Sequence, residues 1–277
     1  MLTTPDLAEM SRLSGSEARA RIKAGLWMHP TAGVALGWAQ ANLVVVTAAY
    51  AAAFLEFCAQ NQRACPVLEV TEPGSPEPRR VAPGADVRTD LPRYRVYREG
   101  AVVGEVDNIL DLWQPDFRAF LLGCSFSFEA ELARAGVPLR HIELRSNVAM
   151  YRTNRQCRVV GPFQGPLVVS MRPIPDSLVE LAVRVSSRFP LAHGAPVQVG
   201  DPAGLGIADL ARPDYGDALP VRPGETPVFW ACGVTPQAAA EAARLPLMIT
   251  HAPGHMFITD VRDKDLASGR PPLSRGC

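Results

Sequence analysis

The sequence predicts a mixed α/β fold. Strand-like apolar runs alternate with stretches of helical period, but irregularly, which favours a mixed α/β protein over a repeating βαβ barrel. No internal sequence repeat runs through the chain. The 26 prolines and 22 glycines fall mostly in short pairs that end elements and fix turns, so the scaffold carries many shaped loops. Such loops are where sites usually lie.

The elements follow in order. Thr4 is placed to cap a helix with Pro5 at its first position. Ser14 and Glu17 have capping-box spacing, and Gly25 is placed to end the helix they open. QANLVVVT reads as a strand through the apolar, partly β-branched run Leu43–Val46. Thr47 is the cap expected for a helix over Ala48–Gln60, with Tyr50, Phe54 and Phe57 on one face as core residues. Pro66–Val70 is a short strand, and residues 71–84 form a Pro/Gly-rich loop. Arg93–Tyr97 and Ala101–Val106 flank Glu99-Gly100 as a β-hairpin. Helices are expected over Asp111–Leu122, Phe128–Ala135, Asp176–Arg188 with Asp176 as its cap, and Pro236–Arg244. Strands are expected at Arg158–Val160, Leu167–Ser170, Val197–Val199, Pro227–Ala231, Leu247–Thr250 and Met256–Thr259.

Composition excludes several classes. Lys plus Arg balance Asp plus Glu at 28 each, with no basic stripe, so neither nucleic acid nor an anionic membrane surface is an expected partner. The longest apolar stretch, near Leu43–Phe57, is interrupted by Thr47, Tyr50 and Glu56 and is too short to span a bilayer. The six cysteines form no CxxC pair in a chain too large for a disulfide-stapled domain, and no signal-peptide pattern opens the sequence. Reduced thiols and a cytoplasmic location are the expectation. Without GxGxxG or GxxxxGK[ST] there is no case for a nucleotide cofactor.

The most informative stretch is GCSFSFE at Gly123–Glu129, a thiol, two hydroxyls and a carboxylate between aromatic residues. RSNVAMYRT (Arg145–Thr153), VVSMRP (Val168–Pro173) and RFPLAHGAPVQVGDP (Arg188–Pro202) follow it. PVFWACGVTPQ (Pro227–Gln237) and APGHMFITD (Ala252–Asp260) complete the series. This ordered set, from about Leu13 to Asp260, resembles the D-glutamate cyclase family, whose bacterial members usually carry a hydro-lyase label. The resemblance implies two α/β subdomains with the pocket between them. The boundaries drawn are 1–110 with 190–265 for the larger α/β subdomain, 111–189 for a smaller α+β one, and 266–277 for a disordered tail.

The reaction the resemblance implies is closure of D-glutamate to 5-oxo-D-proline with loss of water. At neutral pH the amine is protonated and the side-chain carboxyl ionised, the wrong state on both sides. With reference pKa values of about 8 and about 4.3, forming the neutral pair costs about 5 kcal/mol or more. A site must supply a base, an acid and a cradle for the tetrahedral oxyanion, and it needs no cofactor or metal for that. Glu129, His193 and His255 are the expected proton handlers. Arg145 and Arg172 are the expected carboxylate anchors, each also readable as a structural ion pair. Cys124, Ser125, Asn147, Tyr151, Thr153, Cys232 and Thr235 are expected around the substrate, Thr235 also as cap of the Pro236 helix. Cys124 and Cys232 are also readable as buried, inert thiols and Tyr151 as a core tyrosine. His29 and His141 read as structural or exposed. Asp201, Asp209, Asp214 and Asp217 fit a hard-cation cluster or turn-stabilising bonds, the commoner role.

Gln198 stands where relatives usually carry histidine after HGAPV, which questions the substrate or proton donor if that histidine is catalytic. Two rival readings remain open on the sequence. One is an amidase or lactamase acting on a small cyclic amide, the same chemistry reversed. The other is a carboxylate-binding protein without turnover. A homo-oligomeric assembly is compatible with either.

Overall fold

The structure, a computed structural model, describes residues 5–267. Thr4, Cys277 and the chain from 268 onward lie outside the described residues. The fold is mixed α/β, built on two antiparallel sheets. The strands are β1 (Trp38–Thr47), β2 (Val67–Val70), β3 (Tyr94–Arg98), β4 (Ala101–Val106), β5 (Phe117–Gly123), β6 (Ala149–Gln156), β7 (Pro166–Pro175), β8 (Gln198–Val199), β9 (Glu225–Ala231), β10 (Met248–His251) and β11 (Phe257–Arg262). The helices are α1 (Leu7–Met10), α2 (Gly15–Lys23), α3 (Ala48–Gln60), α4 (Phe126–Arg134), α5 (Arg140–Glu143), α6 (Val179–Ser187), α7 (Thr235–Ala243) and α8 (Asp263–Leu266).

The larger sheet has seven strands in the order β2-β5-β1-β10-β3-β4, with β11 also paired to β1. One edge of β1 is covered by β5 from Ala41 to Thr47. Its other edge is shared, Trp38–Ala41 with β11 and Val44–Val45 with β10. The smaller sheet runs β6-β7-β9-β8. Residues 117–123 therefore belong to the larger sheet, and residues 198–199 and 225–231 to the smaller one.

Period-two alternation explains the apolar run in β1. Leu43 and Val45 enter the core that joins the two sheets, together with Ile174, Val228 and Trp230 of the smaller sheet. Val44 and Val46 point the other way, onto Phe54, Phe57 and Cys58 of α3. The outer face of the smaller sheet buries Tyr151, Val169, Met171 and Phe229 under Leu205, Ile207 and Leu219.

Local signals were decisive where chemistry is local. Ser14 and Glu17 form a reciprocal capping box. Glu99 and Gly100 both adopt positive φ, +48° and +80°, in the β3–β4 turn. Thr47 occupies the cap position of α3 without a side-chain cap bond.

Other expectations are corrected. Residues 111–122 are not a helix: a single 3-10 turn at Leu110–Leu112 precedes strand β5. Alternation there puts Phe117, Ala119 and Leu121 on the inter-sheet core and Phe120 and Leu122 on the α3 side. Residues 158–160 make only an isolated bridge, Val160 to Phe163, and the strand of this region is β6 instead. β7 runs on through Pro173 and Pro175, past its last β6 pair at Met171, where β9 is its one partner strand. Asp176 accepts from Thr226 Oγ1 (2.7 Å) and does not cap α6. α8 takes in Leu266, which is fully buried, while the rest of the 266–277 tail from 268 onward lies outside the described residues.

Gly123 ends β5 in close contact with another backbone. A Cβ there would fall 1.6 Å from the Leu191 carbonyl oxygen. Gly123→Ala is therefore expected to cost about 1–3 kcal/mol or more. An unchanged urea midpoint for that variant would show that the two segments are not held together.

Candidate active site

Two strand-to-helix corners meet where the sheets face each other. β5 turns into α4 through Cys124 and Ser125, and β9 turns into α7 through Cys232–Val234. Asn42 of β1 stands between them. Its Nδ2 donates to the Gly123 carbonyl (2.7 Å), and a Cβ on Gly233 would fall 2.0 Å from the same nitrogen.

Behind the first corner lies a buried charge chain. Arg172, on the inner face of β7, is 0% exposed and sits between the rings of Phe128 and Trp230, 5.5 and 5.4 Å from their centroids. Its Nε and Nη2 donate to Glu129 Oε1 at 2.9 and 2.5 Å, Nη2 also to Ser125 Oγ (3.0 Å), and Nη1 to Ser170 Oγ (3.1 Å). His141 Nε2 lies 3.0 Å from the same carboxylate oxygen, at ion-pair distance though without hydrogen-bond alignment. Glu129 is 1% exposed and His141 is 0% exposed, the latter stacked on Phe126 (6.1 Å, 17°). Burial pushes the Glu129 carboxyl up, but His141 and Arg172 outweigh it and hold the group below the ordinary carboxylate range. Glu129 Oε2 and His141 Nδ1 remain buried without a hydrogen-bond partner. Unpartnered buried polar atoms of this kind call for an explanation.

The structure gathers Ser125, Glu129 and Arg172, with Cys124 and Cys232 beside them at the corners. Burial drives the Cys124 thiol far up and the Cys232 thiol to about 11, so neither is a thiolate at neutral pH. The Arg172 fork is filled by Glu129, Ser125 and Ser170 and is not open to a substrate carboxylate in this arrangement. His193 adopts φ +76°, and its Nδ1 faces the Arg63 carbonyl at 2.7 Å, leaving Nε2 buried and unpaired. Burial, with Arg172 adding to it, lowers His193 to about 4.

The remaining candidates lie elsewhere. Asn147 and His255 meet on the 252–256 loop, where Asn147 Nδ2 donates to the Pro253 carbonyl (2.9 Å) and His255 Nδ1 lies 3.0 Å from it. His255 is half-buried, and burial lowers its pKa. Tyr151 and Thr153 face away from Arg172, their hydroxyls donating to the Leu210 and Leu167 carbonyls at 2.7 and 2.8 Å. Thr235 does not cap α7, whose N-cap is Val234. Its Oγ1 donates to the Cys232 carbonyl (2.7 Å) and accepts from Val168 N–H (3.1 Å), stitching α7 to β7. Arg145 is exposed, with φ +53°, and lines a surface cavity together with His141.

Asp201, Asp209, Asp214 and Asp217 each accept backbone N–H groups, from Ala203, Ala211, Arg152 and Asn147, which is turn and strand stabilisation. Gln198 bonds Arg155 Nη2 (3.2 Å) and the Asp201 carbonyl (3.4 Å), at the surface.

Sequence reasoning missed His141, which no motif flags because it precedes RSNVAMYRT. It also missed a second polar bridge between the sheets. Gln237 accepts from Tyr97 Oη (3.1 Å) and donates to the His251 carbonyl (2.8 Å), while Arg152 binds Tyr215 Oη (2.5 Å) and Glu241 (2.7 Å). Arg152 and Gln237 stand inside quoted motifs, the one signal that pointed to them.

A buried Arg–Glu–His chain beside two strand-to-helix corners, on a two-sheet α/β scaffold, is the kind of arrangement at which enzyme sites cluster. Comparison with known proteins makes the assignment specific: the D-glutamate cyclase family model matches residues 118–260, and the chain belongs to that family. A relative from Geobacillus kaustophilus named "Putative hydro-lyase" is 58% identical over 92% of this chain and 97% of its own length. Relatives of the same name from Stutzerimonas stutzeri and Rubrobacter xylanophilus are 60% and 58% identical, over 92% of this chain in each case and 96% and 99% of their own. A solved nitrogen repressor-like protein from Methanococcus jannaschii overlaps 85% of this chain and 91% of its own, but at a TM-score of 0.37 and 10% identity, too distant to carry an argument.

Two imidazoles held neutral by burial set a pH dependence. His193 and His251 are both lowered to about 4. Each contributes stability that is complete above its ordinary value near 6.5 and is lost as pH falls from there toward 4, at most roughly 3 kcal/mol apiece. Proton NMR of the imidazole Cε1 protons should show two that stay in the neutral position down to about pH 5. Titration of all five histidines near 6.5 would contradict the burial.

Proposed function

We propose that this protein is a hydro-lyase that closes D-glutamate, or a related amino acid, to 5-oxo-D-proline. The observation that carries the reading is the Arg172–Glu129–His141 chain, found in a member of this family at the corner formed by its GCSFSFE motif. Ring closure forms one C–N bond and breaks one C–O bond. Two protons leave the nitrogen, and two arrive at the departing oxygen, which leaves as water. A carboxylate fixed beside an imidazole suits that traffic, because the carboxylate stays ionised and supports the charge that the ring takes up with a proton.

In this reading Glu129 is kept ionised by its two neighbours and orients His141. Arg172 positions Glu129 and holds Ser125 toward the corner. Cys124, Ser125, Cys232 and Thr235 pack the two helix starts behind the chain. His193, neutral at pH 7 with a free Nε2, serves as a hydrogen-bonding group more readily than as a base, since a conjugate acid near 4 takes up few protons there. His255 and Asn147 shape the 252–256 loop. The chemistry calls for no nucleotide, metal or redox cofactor. A cytoplasmic location belongs to the same proposal, and no described helix is long and apolar enough to cross a membrane.

The test is proton NMR of purified protein with D-glutamate and, separately, L-glutamate. Enantiomer-selective 5-oxoproline above the uncatalysed rate is expected, with Glu129→Gln lowering kcat by about 10²–10⁴. Absence of product from either enantiomer, beside an active relative as control, would reject the substrate assignment.

Arg172→Ala is expected to cost about 3–5 kcal/mol of stability, because it strands a buried carboxylate. A chemical denaturation midpoint close to that of the wild type would show that the pair is not held as described.

A further inference from the structure

We propose that the surface cavity next to His141 is the substrate-binding site, and that it receives a small amino acid through that molecule's carboxylate and ammonium groups. The cavity holds about 340 Å³, and Asp6, Trp27, His29, His141, Arg145 and Ser146 are among its walls. That volume has ample room for a small amino acid.

Three features point to a carboxylate. Arg145 contributes a guanidinium that has no ion-pair partner among the described residues. Trp27 is 7% exposed, and its indole Nε1 is buried without a hydrogen-bond acceptor. His141 adds a second buried ring with an unpartnered nitrogen. An indole N–H and an arginine fork are donors alone, so their natural complement is an anion. Asp6 supplies the opposite charge at the same cavity. One of its oxygens accepts Glu9 N–H (2.8 Å), and a carboxylate has further lone pairs for an ammonium group. Trp27 is steadied by an edge contact with His29, 5.4 Å between centroids.

The cavity therefore presents cation and anion on a wall that also contains His141, the end of the buried chain from Arg172 through Glu129. A bound amino acid would meet His141 from one side while Glu129 holds the imidazole from the other. Arg145 becomes the carboxylate anchor, the role that the filled fork of Arg172 leaves vacant. The binding argument stands by itself, and the catalytic role of His141 rests on the function proposed above.

The test separates these two layers. The Trp27 indole N–H resonance, assigned through Trp27→Phe, is followed in nitrogen–proton spectra while D-glutamate is added. A saturable shift is expected, weakened at least tenfold in Arg145→Ala. In turnover, His141→Gln is expected to lower kcat at least 100-fold with the Trp27 shift retained, and added imidazole to restore part of the rate to His141→Gly. Rescue is a response that a merely structural histidine would not give. His141→Asn serves if the glutamine variant does not fold. A shift without turnover by the wild type supports the site and removes the function. Turnover with an unmoved Trp27 resonance, or Arg145→Ala binding like the wild type, overturns the site and leaves the function standing.

Discussion

The ion pair between Arg172 and Glu129 is the interaction on which the interior depends. Both groups are removed from water, one at 0% and the other at 1% exposure. Neither would tolerate that alone, since an isolated buried charge is costly. The pair is tenable because the guanidinium is shared among Glu129, Ser125 and Ser170 and lies between two aromatic faces. Every partner comes from a different structural duty. Ser125 begins α4, Glu129 sits one turn along it, Ser170 lies two residues earlier on β7, and Trp230 faces them from β9. One salt bridge thus fixes the helix of the larger sheet against the strands of the smaller sheet.

That arrangement explains why GCSFSFE is dense in small polar and aromatic residues. Gly123 permits close approach by the Leu191 carbonyl, and Phe128 roofs the guanidinium. Ser127 ties α4 to β1 by accepting Gln40 N–H (3.0 Å). The motif's second serine is therefore mechanical, and its first is electrostatic. The carboxylate then has one oxygen crowded by Arg172 and His141 and the other without a partner. Such asymmetry suits a group that must stay charged while it supports a neighbour.

Much of this was legible in the sequence, and the unread parts share a cause. The capping box at Ser14, the β3–β4 turn and the strand Leu43–Val46 were readable because propensity and local pairing decide them. β5 was misread as a helix because its alternation serves two cores at once, leaving an almost continuous apolar run that only sheet pairing can interpret. Motif membership drew attention to Arg172 and Glu129, and an ion pair was one open reading of Arg172, but nothing local named Glu129 as its partner. His141 was read as structural or exposed since nothing local to it marks function. Its significance comes from Glu129, twelve residues earlier in the chain and adjacent only in space. Tyr151 and Thr153 went the other way: residues of a quoted motif that the strand period turns to the opposite face.

The way β1 is paired bears on how the chain can be made. One flank of this central strand is closed by β5, but the other waits for β10 and β11, some two hundred residues later. During synthesis from the N-terminus, the middle of the larger sheet stays an open, apolar edge until residue 262 has left the ribosome. Such an edge is a template for mispairing, and non-local closure is slow. Nascent chains halted short of residue 248 should need holding by a chaperone, whereas the completed chain does not.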